Sequence, residues 1–325
     1  MTNRRDFITL LGVAAAWPLA ARAQQPAVPI VAYVYPGAPQ SAEAPLSAIR
    51  KRLGEVGYLD GRNVAIELHT ANNDFARLPE LFANLIRRRV AAIAVFGAAA
   101  NAVKAFNTSI PIVFGIGGDP VEAGLVASLN RPGGNITGQT TLNSELGAKR
   151  LGLVHDLLPR AAHFAVLINP NEPTADFLTK DLHAAASARG WQIEILTARS
   201  ISDIDAAFAS LAAKRVDALL VAASALFRDR RIQLAMLSVR HAVPAMYVER
   251  GFTEAGGLIS YGANLLEQHA QIGVYIGRVL KGEKPADLPV HQAVKVEMVI
   301  NLQTARTLGI AIPPTLLAIA DEVIE

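Results

Sequence analysis

The feature that most restricts the fold is a regular alternation between short apolar runs and longer amphipathic stretches. In the first half of the chain, the apolar runs predict strands at 31–35, 64–68, 90–96 and 112–114. The stretches between and after them predict helices at 45–56, 78–89, 98–106 and 121–129. Strands this short and apolar are typical of parallel βαβ units, in which helices cover both faces of the sheet. The pattern therefore predicts an α/β protein built on parallel sheets.

The second half of the chain repeats this order. Its apolar runs predict strands at 164–168, 192–196, 215–224 and 243–247, and its amphipathic stretches predict helices at 175–189 and 204–214. Matching positions lie between 126 residues apart, as for Arg89 and Arg215, and 133 residues apart, as for Ile110 and Val243. The repeat predicts two similar doubly wound lobes in succession. The segments 133–141 and 258–262 are candidate hinge strands.

The first 23 residues have the layout of a cleavable export signal. Arg4 and Arg5 precede an apolar run from Phe7 to Ala21, and residues 21–23 form an A-x-A cleavage pattern. The arginine pair resembles a twin-arginine export signal. A membrane anchor is the alternative, but the run of about 15 residues is shorter than the roughly 18 that a spanning helix needs. We therefore expect a mature chain that begins at Gln24 and is soluble in the periplasm.

Composition and motif content argue against most catalytic and nucleic-acid functions. The 325 residues include no cysteine, which excludes disulfides, thiolate metal sites and cysteine nucleophiles. The formal charge of +3 comes mostly from the first 23 residues, so no nucleic-acid surface is expected. None of the seven histidines forms an H-x-H or HExxH pair, and the sequence has no P-loop and no plausible Ser-His-Asp set. We expect a protein that binds rather than catalyses, with no cofactor and no metal.

Two lobes of this kind predict where a ligand binds. Open parallel sheets bind ligands outside the carboxyl ends of their strands, so two facing sheets form a cleft that closes by a hinge motion. The residues that follow the predicted strands are therefore the candidates for ligand contact. They are Tyr35, Gln40, Ser41, Gly97, Ala98 and Asp119 in the first lobe, Thr140 in the hinge, and Asn169, Asn171, Ser224, Tyr247 and Arg250 in the second lobe.

Several of these candidates also have a purely structural interpretation. Tyr35 either stacks on a ligand ring or packs at the end of its strand. Asp119 either contacts a ligand amine or caps the turn that follows it. Arg250 either clamps a ligand carboxylate through two hydrogen bonds or pairs with the adjacent Glu249. The charged segment 228–231 is expected to form a solvated helix face.

Six longer stretches carry a resemblance to a known family. They are 57–67 (GYLDGRNVAIE), 110–126 (IPIVFGIGGDPVEAGLV), 131–138 (RPGGNITG), 254–262 (EAGGLISYG), 280–289 (LKGEKPADLP) and 299–309 (VINLQTARTLG). In this order they resemble the ABC-transporter substrate-binding proteins of the tryptophan/tyrosine-type family, over essentially the whole mature chain. The resemblance implies a periplasmic-binding-protein type 1-like fold, in which a three-segment hinge joins the two lobes.

The resemblance also implies boundaries, partners and a function. The first lobe would comprise 28–141 plus about 264–287, and the second 144–262 plus about 290–325. The protein would capture a small molecule as a monomer and deliver it to an ABC permease in the inner membrane, which a separate ATPase drives.

One departure from the family pattern bears on the ligand. Members that bind amino acids tend to carry an Asp-Asn pair in a second-lobe loop, where this chain has Ala222-Ala-Ser-Ala225. This loop cannot supply the charge that holds a ligand ammonium. The expected ligand is an aromatic or apolar carboxylate or an amino-acid-like solute. Two alternatives stay open: a periplasmic sensor that presents the solute to a signalling receptor, and, less favoured, an enzyme that uses the same cleft.

Overall fold

The computed structural model describes residues 28–106 and 108–325, so the predicted export signal at 1–23 lies outside the described residues. The strands are β1 (Ile30–Tyr35), β2 (Ala65–Thr70), β3 (Ala92–Phe96), β4 (Ile112–Ile116), β5 (Ile136–Thr140), β6 (His163–Ile168), β7 (Gln192–Thr197), β8 (Ala218–Val221), β9 (Ala245–Tyr247), β10 (Ile259–Ala263), β11 (His291–Gln292), β12 (Val296–Asn301) and β13 (Glu322–Ile324). The α-helices are α1 (Pro39–Glu55), α2 (Leu78–Arg88), α3 (Ala98–Val103), α4 (Gly147–Leu157), α5 (Ala175–Ser187), α6 (Ile201–Lys214), α7 (Ala225–Asp229), α8 (Arg231–Arg240), α9 (Arg250–Glu254), α10 (Leu265–Leu280), α11 (Leu302–Thr307) and α12 (Pro314–Ile319). Within the described ranges, no helix is both long enough and apolar enough to cross a membrane.

The strands form two open sheets, as the sequence pattern predicts. The first sheet has the order β11-β5-β4-β3-β1-β2, and the second has the order β13-β12-β10-β9-β8-β6-β7. Adjacent strands are parallel except for β10 and β12, which run antiparallel. In each sheet the first strand of the lobe, β1 or β6, lies between the next two strands, so the strand order reverses there. The predicted architecture of two similar doubly wound lobes is confirmed.

Helices cover both faces of the first sheet because its central strands are apolar on both sides. Alternate residues of β1 enter different cores. Val31, Tyr33 and Tyr35 pack with α1 and α10, whereas Ala32 and Val34 pack with α2 and α3. All five side chains are fully buried, and burial of a large apolar side chain contributes about 1.5–3 kcal/mol.

The chain passes between the two sheets three times. It leaves the first sheet after β5, and it returns after β10 through α10, which packs in the same core as α1. The third passage lies between β11, which pairs with β5, and β12, which pairs with β10. Residues 291–292 therefore belong to the first sheet, and β12 belongs to the second.

The segment 121–129 is not a helix, contrary to the sequence prediction. The Asp119 carboxylate accepts the backbone N–H groups of Val121 and Glu122 at 2.7 and 3.3 Å, which starts a single turn. That turn ends at Gly124, whose φ of +65° lies in the left-handed region that favours glycine. The segment is therefore irregular after this turn, although its apolar residues have helical spacing.

The sequence repeat is visible at two helix ends. Arg89 ends α2 and Arg215 ends α6, and both adopt the left-handed conformation, with φ values of +52° and +50°. The strands predicted to start at residues 90 and 215 therefore start later, after these turns. β3 begins at Ala92, and β8 begins at Ala218.

Candidate functional site

A cavity of about 330 Å³ lies between the two lobes. Its lining comes from segments at the carboxyl ends of strands in both sheets, 96–98 and 116–119 in the first and 172–174 and 223–225 in the second. Open parallel sheets bind ligands at this place. The volume lies at the lower end of the range of about 300–1,000 Å³ that is usual for small-molecule pockets.

Four of the residues predicted to bind ligand line this cavity: Gly97, Ala98, Asp119 and Ser224. Gly97 has a φ of +55°, which lets the chain turn directly from β3 into α3. Asp119 caps the turn that follows it and still faces the cavity, so capping and ligand contact are geometrically compatible.

Three predicted residues lie behind the walls of the cavity. Tyr35 is fully buried and stacks on Phe96, with 6.1 Å between the ring centroids. Tyr247 is also fully buried, and its hydroxyl is hydrogen-bonded within the second lobe. The Thr140 hydroxyl donates to the carbonyl oxygen of Gly118 at 2.7 Å. These residues support the walls without lining the cavity.

Four more predicted residues lie outside the lining. Asn169 accepts the backbone N–H of Asn171 at 3.0 Å, which is turn geometry, and its side-chain N–H group donates to the hydroxyl of Ser224 at 3.2 Å. Asn169 can therefore orient Ser224 from behind. Gln40 and Ser41 line a separate, open groove between the lobes.

Arg250 lies away from the cavity because three glutamates hold its side chain. It donates to Glu254 at 2.7 Å, Glu297 at 3.3 Å and Glu322 at 2.7 Å. The hydrogen bonds to Glu254 and Glu322 are the main reason that the pKa of Arg250 is raised. Arg250 is therefore not placed to clamp a ligand carboxylate, and the partner that it was expected to have, Glu249, pairs elsewhere.

Arg228 pairs with Glu249 and lines the cavity. This position differs from the solvated helix face that was predicted for segment 228–231. The Nε–H of Arg228 donates to the Glu249 carboxylate at 2.9 Å, and its side chain is only 15% exposed. The guanidinium carbon lies 5.7 Å from the centroid of the Phe96 ring in the first lobe, within the range of a cation–π contact. The buried Tyr35 hydroxyl lies beside the guanidinium and helps to raise the pKa of Arg228, but its position falls outside hydrogen-bond geometry.

The terminal nitrogens of Arg228 are the feature that matters for binding. Within the part of the chain that the structure describes, neither of them donates a hydrogen bond. Burial is the largest single effect and disfavours the charged guanidinium, but Glu249, Tyr35 and Glu172 together outweigh it, and the pKa of Arg228 is raised. Arg228 therefore presents a permanent charge and a planar pair of donors, a geometry that fits a carboxylate.

A second arginine in the lining, Arg150, has a different role. Its side chain donates to the carbonyl oxygens of Tyr261 and Asn143 at 2.7 and 3.0 Å. Burial lowers the pKa of Arg150 to about 9. With these donors engaged by the backbone, Arg150 supports the wall of the cavity.

Glu172 brings a carboxylate to the second-lobe loop that has no charge of its own. Its Oε1 atom accepts the backbone N–H of Ala225 at 3.2 Å, and the residue lines the cavity beside Ser224. Removal from water raises the pKa of Glu172 above its ordinary value of 4.5, against the opposing effects of Ala225, Ser224 and Arg228. A desolvated negative charge of this kind can be stabilised by a ligand cation.

Replacement of Glu172 by glutamine is expected to raise the thermal midpoint of the ligand-free protein at pH 7. Because the folded-state pKa is raised, the folded protein gains a proton more readily, and stability increases as the pH falls through that pKa towards 4.5. Glu172→Gln removes this part of the pH dependence, which thermal melts between pH 4 and 8 would show.

The control is Glu67→Gln, which is expected to act in the opposite direction at pH 7. Glu67 makes two hydrogen bonds of 2.7 Å to Arg88, and these lower the pKa of Glu67. If both variants lose stability at pH 7, desolvation of the Glu172 carboxylate does not lower the free energy of unfolding.

Two features of the sequence could have located Arg228. It follows Ser224 by four residues, about one helical turn, which keeps it near the end of β8. Glu249 follows the neighbouring strand β9 closely, so a buried pair at adjacent strand ends was open to inference.

Similarity to known proteins decides the family. The model of the family described as ABC transporter substrate binding protein matches residues 38–324. The chain belongs to this family. The resemblance inferred from the sequence motifs is thereby confirmed.

The chain is also similar to individual proteins of known sequence or structure. A tyrosine-binding protein from Clostridioides difficile (strain R20291) is 29% identical over 259 residues, covering 79% of this chain and 74% of that protein. A conserved domain protein from Vibrio cholerae has a crystal structure with a TM-score of 0.84, at 25% identity over 91% of this chain and 99% of that chain. An ABC domain from Streptococcus pneumonia in complex with L-Trp has a TM-score of 0.81 at 24% identity with the same coverage.

Proposed function

We propose that this chain is an extracytoplasmic solute receptor of an ABC importer. Its lobes close on a small molecule in the periplasm and present it to a membrane permease that a separate ATPase drives. The observation that carries the proposal is the cavity between the lobes, which the oppositely charged residues Arg228 and Glu172 both line. No catalytic step is part of the proposal, since the family consists of substrate-binding proteins.

The charges in the cavity favour an amino-acid-like solute with an aromatic or apolar body. Arg228 suits the carboxylate of such a ligand. Glu172 and Asp119 supply negative charge for an ammonium group, although the loop 222–225 has none. Phe96 and Phe177 add aromatic surface. The relatives support the same class, because one is a tyrosine-binding protein and another was crystallised with L-Trp.

A thermal-shift panel on the purified protein tests this proposal. The panel compares L-tryptophan, L-tyrosine and aliphatic amino acids with the matching amino-acid amides, aromatic carboxylates and sugars. A ligand at about 100 times its dissociation constant stabilises the folded state by about 2.7 kcal/mol, which should raise the midpoint by several degrees. We expect the largest shift from an amino acid or an aromatic carboxylate.

The amides identify which group the protein recognises, since they keep the ammonium and lose the carboxylate. A shift from sugars alone would contradict the proposed ligand class. Native mass spectrometry of the same sample distinguishes a protein that binds nothing in the panel from one that already carries a molecule from the expression host. If neither method detects a small molecule, the receptor proposal is wrong.

A further inference from the structure

A second set of contacts joins the two lobes in the open groove, outside the cavity lining. Asp229 of α7 accepts hydrogen bonds from the backbone N–H of Ala38 at 2.8 Å, from the side-chain N–H group of Asn73 at 2.8 Å, and from the hydroxyl of Ser41. Both carboxylate oxygens take part. These donors lie 156 to 191 residues from Asp229 in the sequence, so only the arrangement of the lobes brings them together.

The N-terminus of α1 explains why a carboxylate is favoured at this place. The N-cap residue Ala38 has no side chain that can accept a hydrogen bond, and the first turn of this 17-residue helix contains no acidic residue. A helix N-terminus carries unsatisfied N–H groups and a partial positive charge. Asp229 therefore supplies, from the opposite lobe, the acceptor that the sequence of α1 lacks.

The surrounding backbone is shaped to admit this carboxylate. A Cβ atom on Gly37 would lie 2.9 Å from Asp229 Oδ1, so a side chain at this position would push against the contact. Asn73 has a φ of +64°, a left-handed conformation that asparagine tolerates better than most residues, and its amide points at the same carboxylate.

Asp229 is also adjacent in sequence to the residue that faces the ligand cavity. Arg228 and Asp229 lie on α7, a helix of five residues whose N-cap is the cavity-lining Ser224. Arg228 faces the cavity and Asp229 faces the first lobe. A ligand anion bound to Arg228 would fix this short helix and, with it, the position of the Asp229 carboxylate.

We propose that Asp229 is a positioning residue that holds the closed lobes together through its hydrogen bonds at the N-terminus of α1, a contact that we call the latch. We further propose that ligand contact at Arg228 stabilises this latch. The part that concerns the ligand rests on the proposed function. The latch itself depends only on how the two lobes meet.

The test measures the separation of the lobes directly. Because the chain has no cysteine, cysteines introduced by Gln40→Cys and Ser202→Cys can be spin-labelled without interference. Both positions are exposed and line the groove from opposite lobes. Electron–electron double resonance then gives the distance distribution without ligand and with L-tryptophan or L-tyrosine. We expect Asp229→Ala to reduce the ratio of short to long distances by about tenfold, as loss of charge-assisted hydrogen bonds predicts.

The matched control is Asp205→Asn, a change at another aspartate of the same groove. Asp205 accepts a hydrogen bond from Gln233 of its own lobe at 2.8 Å, so its replacement should leave the distances unchanged. Gly37→Ala should shift them in the direction of Asp229→Ala without altering Asp229. Release of any bound amino acid should be about tenfold faster from Asp229→Ala, with the thermal midpoint of the ligand-free protein little changed.

Three results would overturn the latch: identical distances in Asp229→Ala and the parent, an equal shift in Asp205→Asn, or a parent protein that never shows the short distance. The outcomes separate the two proposals. Ligand binding with no effect of Asp229→Ala leaves the receptor function standing and removes the latch. If Asp229→Ala loses the short distance and no compound of the panel binds to the parent protein, the latch is supported and the proposed ligand class is rejected.

Discussion

The Arg228→Gln variant is expected to bind its ligand about a hundredfold more weakly than the parent protein. Arg228 is the cavity-lining arginine whose terminal nitrogens make no hydrogen bond within the described residues, and its charge is maintained by Glu249. Removal of one partner from a desolvated, hydrogen-bonded charge pair costs about 2–5 kcal/mol of binding free energy. Isothermal titration calorimetry with the best compound from the thermal-shift panel measures this loss.

The same substitution is expected to lower the free energy of unfolding, which requires a second variant to separate folding from binding. Glu249 would lose its partner while its side chain is only 11% exposed, and breaking a buried ion pair costs about 3–5 kcal/mol. The double variant Arg228→Gln/Glu249→Gln removes both charges and should recover most of this stability. It should still bind weakly, because the guanidinium is gone.

Arg250→Gln is the matched control for the loss of a second-lobe arginine. Arg250 is held by Glu254, Glu297 and Glu322 and does not line the cavity, so ligand affinity should stay within about twofold of the parent. If Arg250→Gln weakens binding and Arg228→Gln does not, the ligand carboxylate lies at Arg250, the arginine named as a candidate from the sequence.

The sheets could be predicted from the sequence because each central strand is buried on both faces. Such a strand appears as a continuous apolar run, as in β3, where all five residues are buried. The error at 121–129 has a local cause of a different kind. The spacing of apolar residues there suits a helix, but the left-handed conformation of Gly124 ends the turn. The spacing of apolar residues indicates which side chains are buried. It does not indicate where a residue such as Gly124 adopts a positive φ and ends a turn.

The candidate site could be predicted in part, from the rule that strand ends face the cleft. Gly97, Ala98, Asp119 and Ser224 line the cavity for this reason. The rule does not say whether the last side chain of a strand faces the cleft or the core. Tyr35 lies with Tyr33 on the face of β1 that packs against α1 and α10, and Tyr247 is similarly buried.

The closeness of Arg228 to the end of β8 could be inferred from that rule, but its role also depends on long-range pairing. Its charge is held by Glu249, which lies 21 residues away on another element, and its guanidinium lies over Phe96 from the opposite lobe. Neither contact leaves a pattern in the local sequence. A run of charged residues at 228–231 looks like a solvated surface until the structure shows that Arg228 and Asp229 both point towards the other lobe.

The Gly273→Ala variant is expected to lose about 2–3 kcal/mol of unfolding free energy, as overpacking of a tight contact does. Gly273 lies in α10, where a Cβ atom would be 2.6 Å from the Ile49 carbonyl oxygen of α1 and 3.1 Å from the Cβ of Arg52. A backbone carbonyl within a helix cannot move aside alone, so α10 must shift as a unit. Urea denaturation measures the change.

Gly152→Ala provides the matched control for the loss of stability in Gly273→Ala, since Gly152 also lies in a helix, α4, but has no atom within 4 Å of its Cβ position. There the alanine should stabilise the protein by up to about 1 kcal/mol, because alanine has the higher helix propensity.

Gly273→Ala should also weaken ligand binding, since α10 carries Gln268, whose side chain lines the cavity and donates to the Ile116 carbonyl at 2.9 Å. Equal stability changes in the two variants would show that the close packing of α10 on α1 does not limit stability. A large loss for Gly273→Ala alone means that this contact fixes the helix by which the chain returns from the second lobe, and weaker ligand binding in the same variant means that the position of this helix also matters for the cavity.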